Sequence, residues 1–272
     1  MPAMKWLDDL RAMINKEQFY PETRFGGFSD VDGTVIFFNR VNSLVNSSSV
    51  VLDVGCGRGA YCEDAVAYRR SLRVLRGKAA RVIGIDVDQG AQVNPFLDEF
   101  HLIRSRFWPI GSDSIDLALC DNVLEHIERL DEFLMEIRRV LKDGGFLCIR
   151  TPNQWSYAGL SARLIPNKYH AKVILAVQGR KEEDVFPTVY RCNSIRKLKG
   201  IMKKNGFEHV VYGYEAEPSY LKFSGIAYSF GMLHRRLAPA FLKPVIFAFG
   251  KIKKVHAMDG AAVGADIRIA GK

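Results

Sequence analysis

A chain of 272 residues with 48% hydrophobic content can bury a full core, as one large domain or one domain with appended elements, and this excludes large-scale disorder. A formal charge of +9 favours anionic partners: nucleic acid, phosphorylated substrates or an acidic membrane surface. Five cysteines, Cys56, Cys62, Cys120, Cys148 and Cys192, form neither CxxC pairs nor a Cys/His ligand pattern, so reduced thiols of a cytoplasmic protein are expected.

The opening "MPAMKWLDDLRAMINKEQF" spreads acids through a helical pattern without the apolar core of a signal peptide, and residues 1–45 are expected to form an N-terminal helical arm ahead of a domain over 46–272. "SVVLDVG" reads as a strand, "AYCEDAVAYRRSLRVL" as a helix with a basic end, and "RVIGIDVD" as a second strand. A third apolar strand, "SIDLALCD", precedes a helix "VLEHIERLDEFLMEIRRVLK" stopped by Gly144 and Gly145, and "FLCIRTPN" is another strand. Continuous apolar strands alternating with helices imply a parallel sheet covered on both faces. Residues 154–192, rich in aromatic and basic side chains, follow a strand's carboxyl end and are expected to form a lid on the acceptor side, ahead of the helix "NSIRKLKGIMKKNGF". "EHVVYGYE" and the terminal "AAVGADIRIAGK" read as strands, which makes 218–258 a second insertion. It holds seven Lys or Arg residues and no Asp or Glu, with Phe223, Ile226, Phe230, Leu233 and Leu237 at helical spacing. A packed helix or a contact with an anionic bilayer or lipid-linked phosphate both fit that pattern. No stretch of 18 uncharged apolar residues predicts a membrane-spanning helix.

Gly55, Gly57 and Gly59 follow the first strand directly, where a doubly wound sheet binds ligands and where a Cβ would occupy the ligand's place. Asp86 ends the next strand, placed to accept the two hydroxyls of a ribose. The order G-C-G-R-G differs from the dinucleotide pattern G-x-G-x-x-G. Asp53, inside the strand before the turn, would repel a pyrophosphate but suits a cationic amino-acid portion, so the charge favours S-adenosylmethionine over NAD.

"VLDVGCGRG", "VIGIDVD", "SDSIDLALCDNVLEHI" and "LKDGGFLCIRTPN", in this order over residues 51–153, resemble the four successive motifs of class I S-adenosylmethionine-dependent methyltransferases. More loosely, "RFGGFSDVDGTVIFFNRVNSLV" and "GRKEEDVFPTVYR" are similar to bacterial methyltransferases of surface-glycan gene clusters. The resemblance implies an α/β, Rossmann-like, doubly wound, mostly parallel seven-stranded sheet with helices on both faces, an antiparallel terminal strand and helical insertions. It places Asp53, Gly55, Cys56, Gly57 and Gly59 along the methionine and ribose of S-adenosylmethionine, Asp86 and Val87 at the ribose and adenine edge, and Cys120 and Asp121 towards the methionine portion or the sulfonium. Many members carry an acid that receives the adenine amino group in the loop before a Pro-aromatic pair. Here "HLIRSRFWPIGSDS" offers Arg104, Ser105 and Arg106, and a guanidinium is donor-only, which leaves adenine to backbone atoms or to stacking on Trp108. No metal-ligand cluster follows these motifs, so turnover is expected to need no divalent metal.

Methyl transfer from a sulfonium to a hydroxyl needs alignment and a base. His126 in "VLEHI" is the best-placed candidate base, against the alternative of a packing or capping histidine; His101 and His170 are weaker. The favoured acceptor is a hydroxyl of a glycan or lipid-linked saccharide, met in the cytoplasm or at the inner membrane face. A small lipid such as a quinone, and a non-catalytic binding module that kept the fold, remain alternatives. Nucleic acid ranks last, since no recognised nucleic-acid module accompanies the charge.

Overall fold

The computed structural model describes residues 16–164, 193–222 and 224–254. Seven strands form one sheet: β1 (Val50–Val54), β2 (Arg81–Asp86), β3 (Glu99–Leu102), β4 (Ile115–Asp121), β5 (Leu141–Pro152), β6 (Phe207–Tyr214) and β7 (Val245–Ile252). Their order is β3-β2-β1-β4-β5-β7-β6; β7 runs antiparallel to both its neighbours and the other six strands run parallel. The expected sheet is present.

Alternation along each strand divides the core in two. Leu52 and Val54 of β1, Ile83 and Ile85 of β2 and Leu147 and Ile149 of β5 face a cluster with helix α3 (Leu130–Val140) and helix α5 (Ile195–Lys204). Val51, Val82, Leu117, Leu119 and Cys148 face the other side, against α1 (Gly33–Asn42) and α2 (Ala67–Arg73). In α3 the buried Phe133, Leu134, Ile137 and Val140 recur at helical spacing, so one stripe is committed to the sheet. Asp32 starts α1 by accepting the N–H groups of Thr34 and Val35 at 2.9 and 3.0 Å.

Four boundaries differ from expectation. Helix α1 lies inside the predicted arm but belongs to the core: Phe37, Phe38 and Val41 are buried against Phe247 and the central strands, so the domain begins before residue 46. The helix predicted from Ala60 breaks into a short turn, Ala60–Glu63, and α2, because Asp64 caps Val66 at 3.0 Å and clasps Arg69 with both carboxylate oxygens. Helix α3 ends at Val140 and β5 starts at once, so Gly144 and Gly145 lie in the strand, within a register shift against β4 between Leu141 and Phe146. The strand that closes the sheet is β7, within the predicted insertion 218–258: "VIFAFGKI" buries Ile246, Phe247 and Ala248 between β5 and β6. The connection between β6 and β7 therefore carries helix α6 (Gly225–Leu237). The terminal "AAVGADIRIAGK", Cys192 and most of the predicted lid lie outside the described residues, apart from helix α4 (Tyr157–Leu164) at the lid's start.

Candidate active site

β1 ends in a turn whose three glycines all have left-handed backbones, with φ of +66° at Gly55, +53° at Gly57 and +74° at Gly59. A Cβ at Gly55 would lie 2.7 Å from Val123 and one at Gly59 2.8 Å from Asn94, whereas at Gly57 it would meet nothing within 4 Å. The first and third glycines are packed from behind, and the second borders open space. The Gly57 N–H donates to Asp86 Oδ2 at 2.9 Å, and Asp86 Oδ1 accepts from Asp88 N–H at 2.9 Å. Each Asp86 oxygen keeps a second acceptor position for a hydroxyl.

Beside this turn two carboxylates have opposite fates. Asp121, at the end of β4, is gripped by Arg150 through Nε–Oδ1 at 2.6 Å and a second guanidinium nitrogen to Oδ2 at 2.7 Å, with Arg73 at 3.5 Å. Asp53 accepts no hydrogen bond among the described residues. Burial first, and then repulsion by Asp121, push its carboxyl up to about 7, with Arg73 opposing the rise. Such a group is relieved by a cation. Arg73 lies 4.5 Å over the Tyr61 ring, and its Nε is buried without a partner. A carboxylate that accepts no hydrogen bond thus sits near a guanidinium whose buried Nε donates none. Asn122, next in the chain, holds φ +57° while its N–H reaches Arg150 O at 2.8 Å; a non-glycine residue in this region stores strain of about 1 kcal/mol or more at the site's edge.

The carboxyl end of β4 leads into a short turn, Leu124–His126. The His126 ring is about a quarter exposed, with Nε2 at 4.0 Å from Glu125 Oε1. Glu125 is buried, which raises its carboxyl pKa, and its Oε2 accepts from Thr151 Oγ1 at 2.9 Å. Thr151 Oγ1 in turn accepts from Asn193 Nδ2 at 2.6 Å. A partly exposed imidazole therefore stands beside an acid fixed from below by two polar side chains. Glu125 is part of this support. Among the described residues no three His, Cys, Asp or Glu side chains gather as a metal site.

A family model described as "Methyltransferase domain" matches residues 37–212, well over half of the chain. The chain belongs to the methyltransferase-domain family. A protein of Mycolicibacterium smegmatis named as an S-adenosylmethionine-dependent methyltransferase is 30% identical over 47% of this chain and 47% of its own length. A ubiquinone biosynthesis O-methyltransferase of Bradyrhizobium diazoefficiens is 31% identical over 38% of this chain and 40% of that protein. These matches thus span less than half of the relatives. The crystal structure of a methyltransferase from Thermotoga maritima superposes with a TM-score of 0.50 at 17% identity, covering 91% of this chain and all of that one, which shows the shared fold.

In this member of the methyltransferase-domain family the residues at the carboxyl edge fit S-adenosylmethionine. Asp53 suits the ammonium and Arg73 the carboxylate of an amino-acid portion, Asp86 suits a ribose, and the space over Gly57 admits the chain between them. Val87, 66% exposed, offers an apolar rim for adenine. Three expected contacts are corrected. Cys56 is buried in the core against Gly84, and Cys120 is fully buried, so both thiols are packed in the core rather than presented to a cofactor. Trp108 is buried edge-to-face on Phe133 at 5.4 Å, and its backbone N–H donates to Glu136 Oε2 at 2.7 Å, so its ring is spent on packing rather than on adenine. Asp121 lies at the cleft, but its charge is met by Arg150. Ser105 is exposed and turned on the backbone of Phe107, donating at 3.0 Å and accepting at 3.2 Å. His101 bonds Glu99 on the edge strand β3, and His170 lies outside the described residues. Sequence reasoning missed Arg73, Thr151, Asn193 and Asn94. Asn94 clamps the glycine turn by donating to the Cys56 and Gly57 carbonyls at 3.0 and 3.1 Å.

Asp86→Ala is expected to weaken binding of S-adenosylmethionine and S-adenosylhomocysteine about tenfold or more, because hydrogen bonds to a charged group contribute about 1.5–3 kcal/mol each. Titration calorimetry reads the loss, and a melting curve of the unliganded variant checks the fold. Unchanged affinity would remove Asp86 from the cofactor site.

Proposed function

We propose that this protein is an S-adenosylmethionine-dependent methyltransferase that methylates a hydroxyl of a bacterial glycan or lipid-linked saccharide. The observation that carries the methyl-transfer reading is the Asp53 carboxylate, which accepts no hydrogen bond among the described residues, near the buried Arg73 Nε, which donates none, towards the end of a strand that runs into three left-handed glycines. Bound S-adenosylmethionine supplies an electrophilic methyl group on a sulfonium. Asp53 and Arg73 fix the two ends of the amino-acid portion, and Asp86 fixes the ribose, so the residues set the line of approach. His126 takes the proton of the attacking hydroxyl, and the Glu125 carboxyl 4.0 Å away favours the imidazolium that forms. Trp155, 47% exposed just after β5, provides an aromatic face of the kind that sugars stack on, which supports the saccharide reading.

A phenolic hydroxyl of a quinone precursor is the second reading, favoured by the similarity to the ubiquinone biosynthesis O-methyltransferase. Incubation with methyl-labelled S-adenosylmethionine and either a lipid-linked saccharide fraction or hydroxylated quinone precursors separates the two. Label in the saccharide fraction is the expected result. Label in the quinone alone would replace the saccharide reading, and cofactor binding without label in either would favour a binding module.

A further inference from the structure

Helix α6 is apolar on two opposite faces. Its inner face carries Tyr228 and Met232: Tyr228 stacks on Phe19 at 5.1 Å, and Tyr20 Oη donates to Met232 Sδ at 3.1 Å. Gly231 packs so closely on Pro218 that a Cβ there would come within 2.4 Å. Ile226, Phe230, Leu233 and Leu237 fall within about 60° of one another on the far side, at 100° per residue. They are 83, 72, 50 and 72% exposed, and Phe241 in the turn that follows is 57% exposed. A continuous outer apolar stripe on a helix already anchored by its inner face marks a contact surface.

Charge and position identify what the stripe meets. No Asp or Glu occurs between Glu217 and Asp259, while Lys222, three residues before the helix, and Arg236, about 60° round the helix from Leu233, are exposed. A second copy packed on this face about a two-fold axis would set these cations against their own equivalents. The stripe is also tied to the acceptor edge of the sheet. Asn153, just past β5, donates through Nδ2 to the Phe241 and Lys243 carbonyls at 2.7 and 2.8 Å. Tyr157 of α4 packs edge-to-face on His234 of α6 at 5.1 Å. Among the described residues no helix is long and apolar enough to cross a membrane, and α6 leaves its outer apolar stripe exposed.

We propose that the outer face of α6 docks on an anionic phospholipid bilayer, with Ile226, Phe230, Leu233 and Leu237 at the headgroup boundary and Lys222 and Arg236 against the anionic headgroups. Docking there turns the carboxyl edge of the sheet towards an acceptor held in the membrane. The test is sedimentation of the full chain with phosphatidylglycerol-containing vesicles and with pure phosphatidylcholine vesicles. The wild type should sediment with the anionic vesicles at low salt and be released by about 0.5 M salt. Ile226→Ser/Phe230→Ser/Leu237→Ser and, separately, Lys222→Glu/Arg236→Glu should each lower the bound fraction about tenfold with unchanged melting temperature. No sedimentation of the wild type, or full binding by the serine variant, overturns the proposal. So does a serine variant that melts well below the wild type, which would show the stripe packed within the chain, or one that dissolves a wild-type dimer, which would make a second copy the partner. Adsorption requires no turnover, so the outcome is independent of the methyl-transfer reading.

Discussion

His126→Ala should lower the single-turnover rate of methyl transfer by about 10²–10⁴ while leaving S-adenosylhomocysteine affinity within about twofold of wild type. The ring is partly exposed, so its removal should spare the cofactor site. Glu125→Gln keeps the Thr151 bond but removes the negative charge beside the imidazole. It should slow transfer by a smaller factor than His126→Ala does. A histidine that only packs predicts the reverse pattern: a depressed melting temperature and an unchanged rate. A full rate in His126→Ala would remove this residue from the mechanism.

Asp53 carries the second large effect. Its carboxyl is pushed up to about 7, chiefly by burial, and an ammonium ligand requires the ionised form. Cofactor affinity should therefore be flat above about pH 8 and fall about tenfold for each unit below 7, since proton and ligand compete for the same carboxylate. Asp53→Asn should bind weakly at every pH, with that dependence gone. Stability moves the other way. An acid whose folded value lies above its unfolded value is neutral in both states below about 3.8, and the folded state loses ground as pH rises from there to about 7. With each unit worth about 1.4 kcal/mol, the unliganded Asp53→Asn variant should melt higher than wild type at pH 8 and equally at pH 3.5. Calorimetric titrations and melting curves at four pH values check both signs. A pH-independent wild-type affinity would show that Asp53 does not meet the cation.

Strands β1, β2, β4, β5 and β6 and the glycine turn could be read from the sequence because their signals are local, whereas β3, four half-buried residues, carries no such signal. Alternation in "VVLDV" and "RVIGID" sets two buried faces, and Gly55, Gly57 and Gly59 occupy backbones that other residues rarely adopt. What escaped depends on tertiary placement. Arg73 reads as the basic end of a surface helix, and only its position over Tyr61 and beside Asp121 gives it a role. Trp108 sits where an aromatic could face either adenine or the core, and Phe133 and Glu136, from the following helix, decide for the core. "VIFAFGKI" was hidden by the cations and helical spacing around it, although its Val, Ile and Phe content fits a buried strand.

Because β7 lies between β5 and β6, the last described strand in the chain is an interior strand of the sheet. During synthesis β6 emerges with its pairing edge bare, and it stays so until all of α6 and its flanking turns have followed. The sheet thus closes by insertion of its final segment, not by addition at an edge. Until that moment two strands, β5 and β6, expose unpaired backbone to any neighbouring nascent chain. An interval of this kind is where a chaperone would find the polypeptide, and where a truncation before Val245 would leave a product prone to aggregate instead of a smaller folded domain.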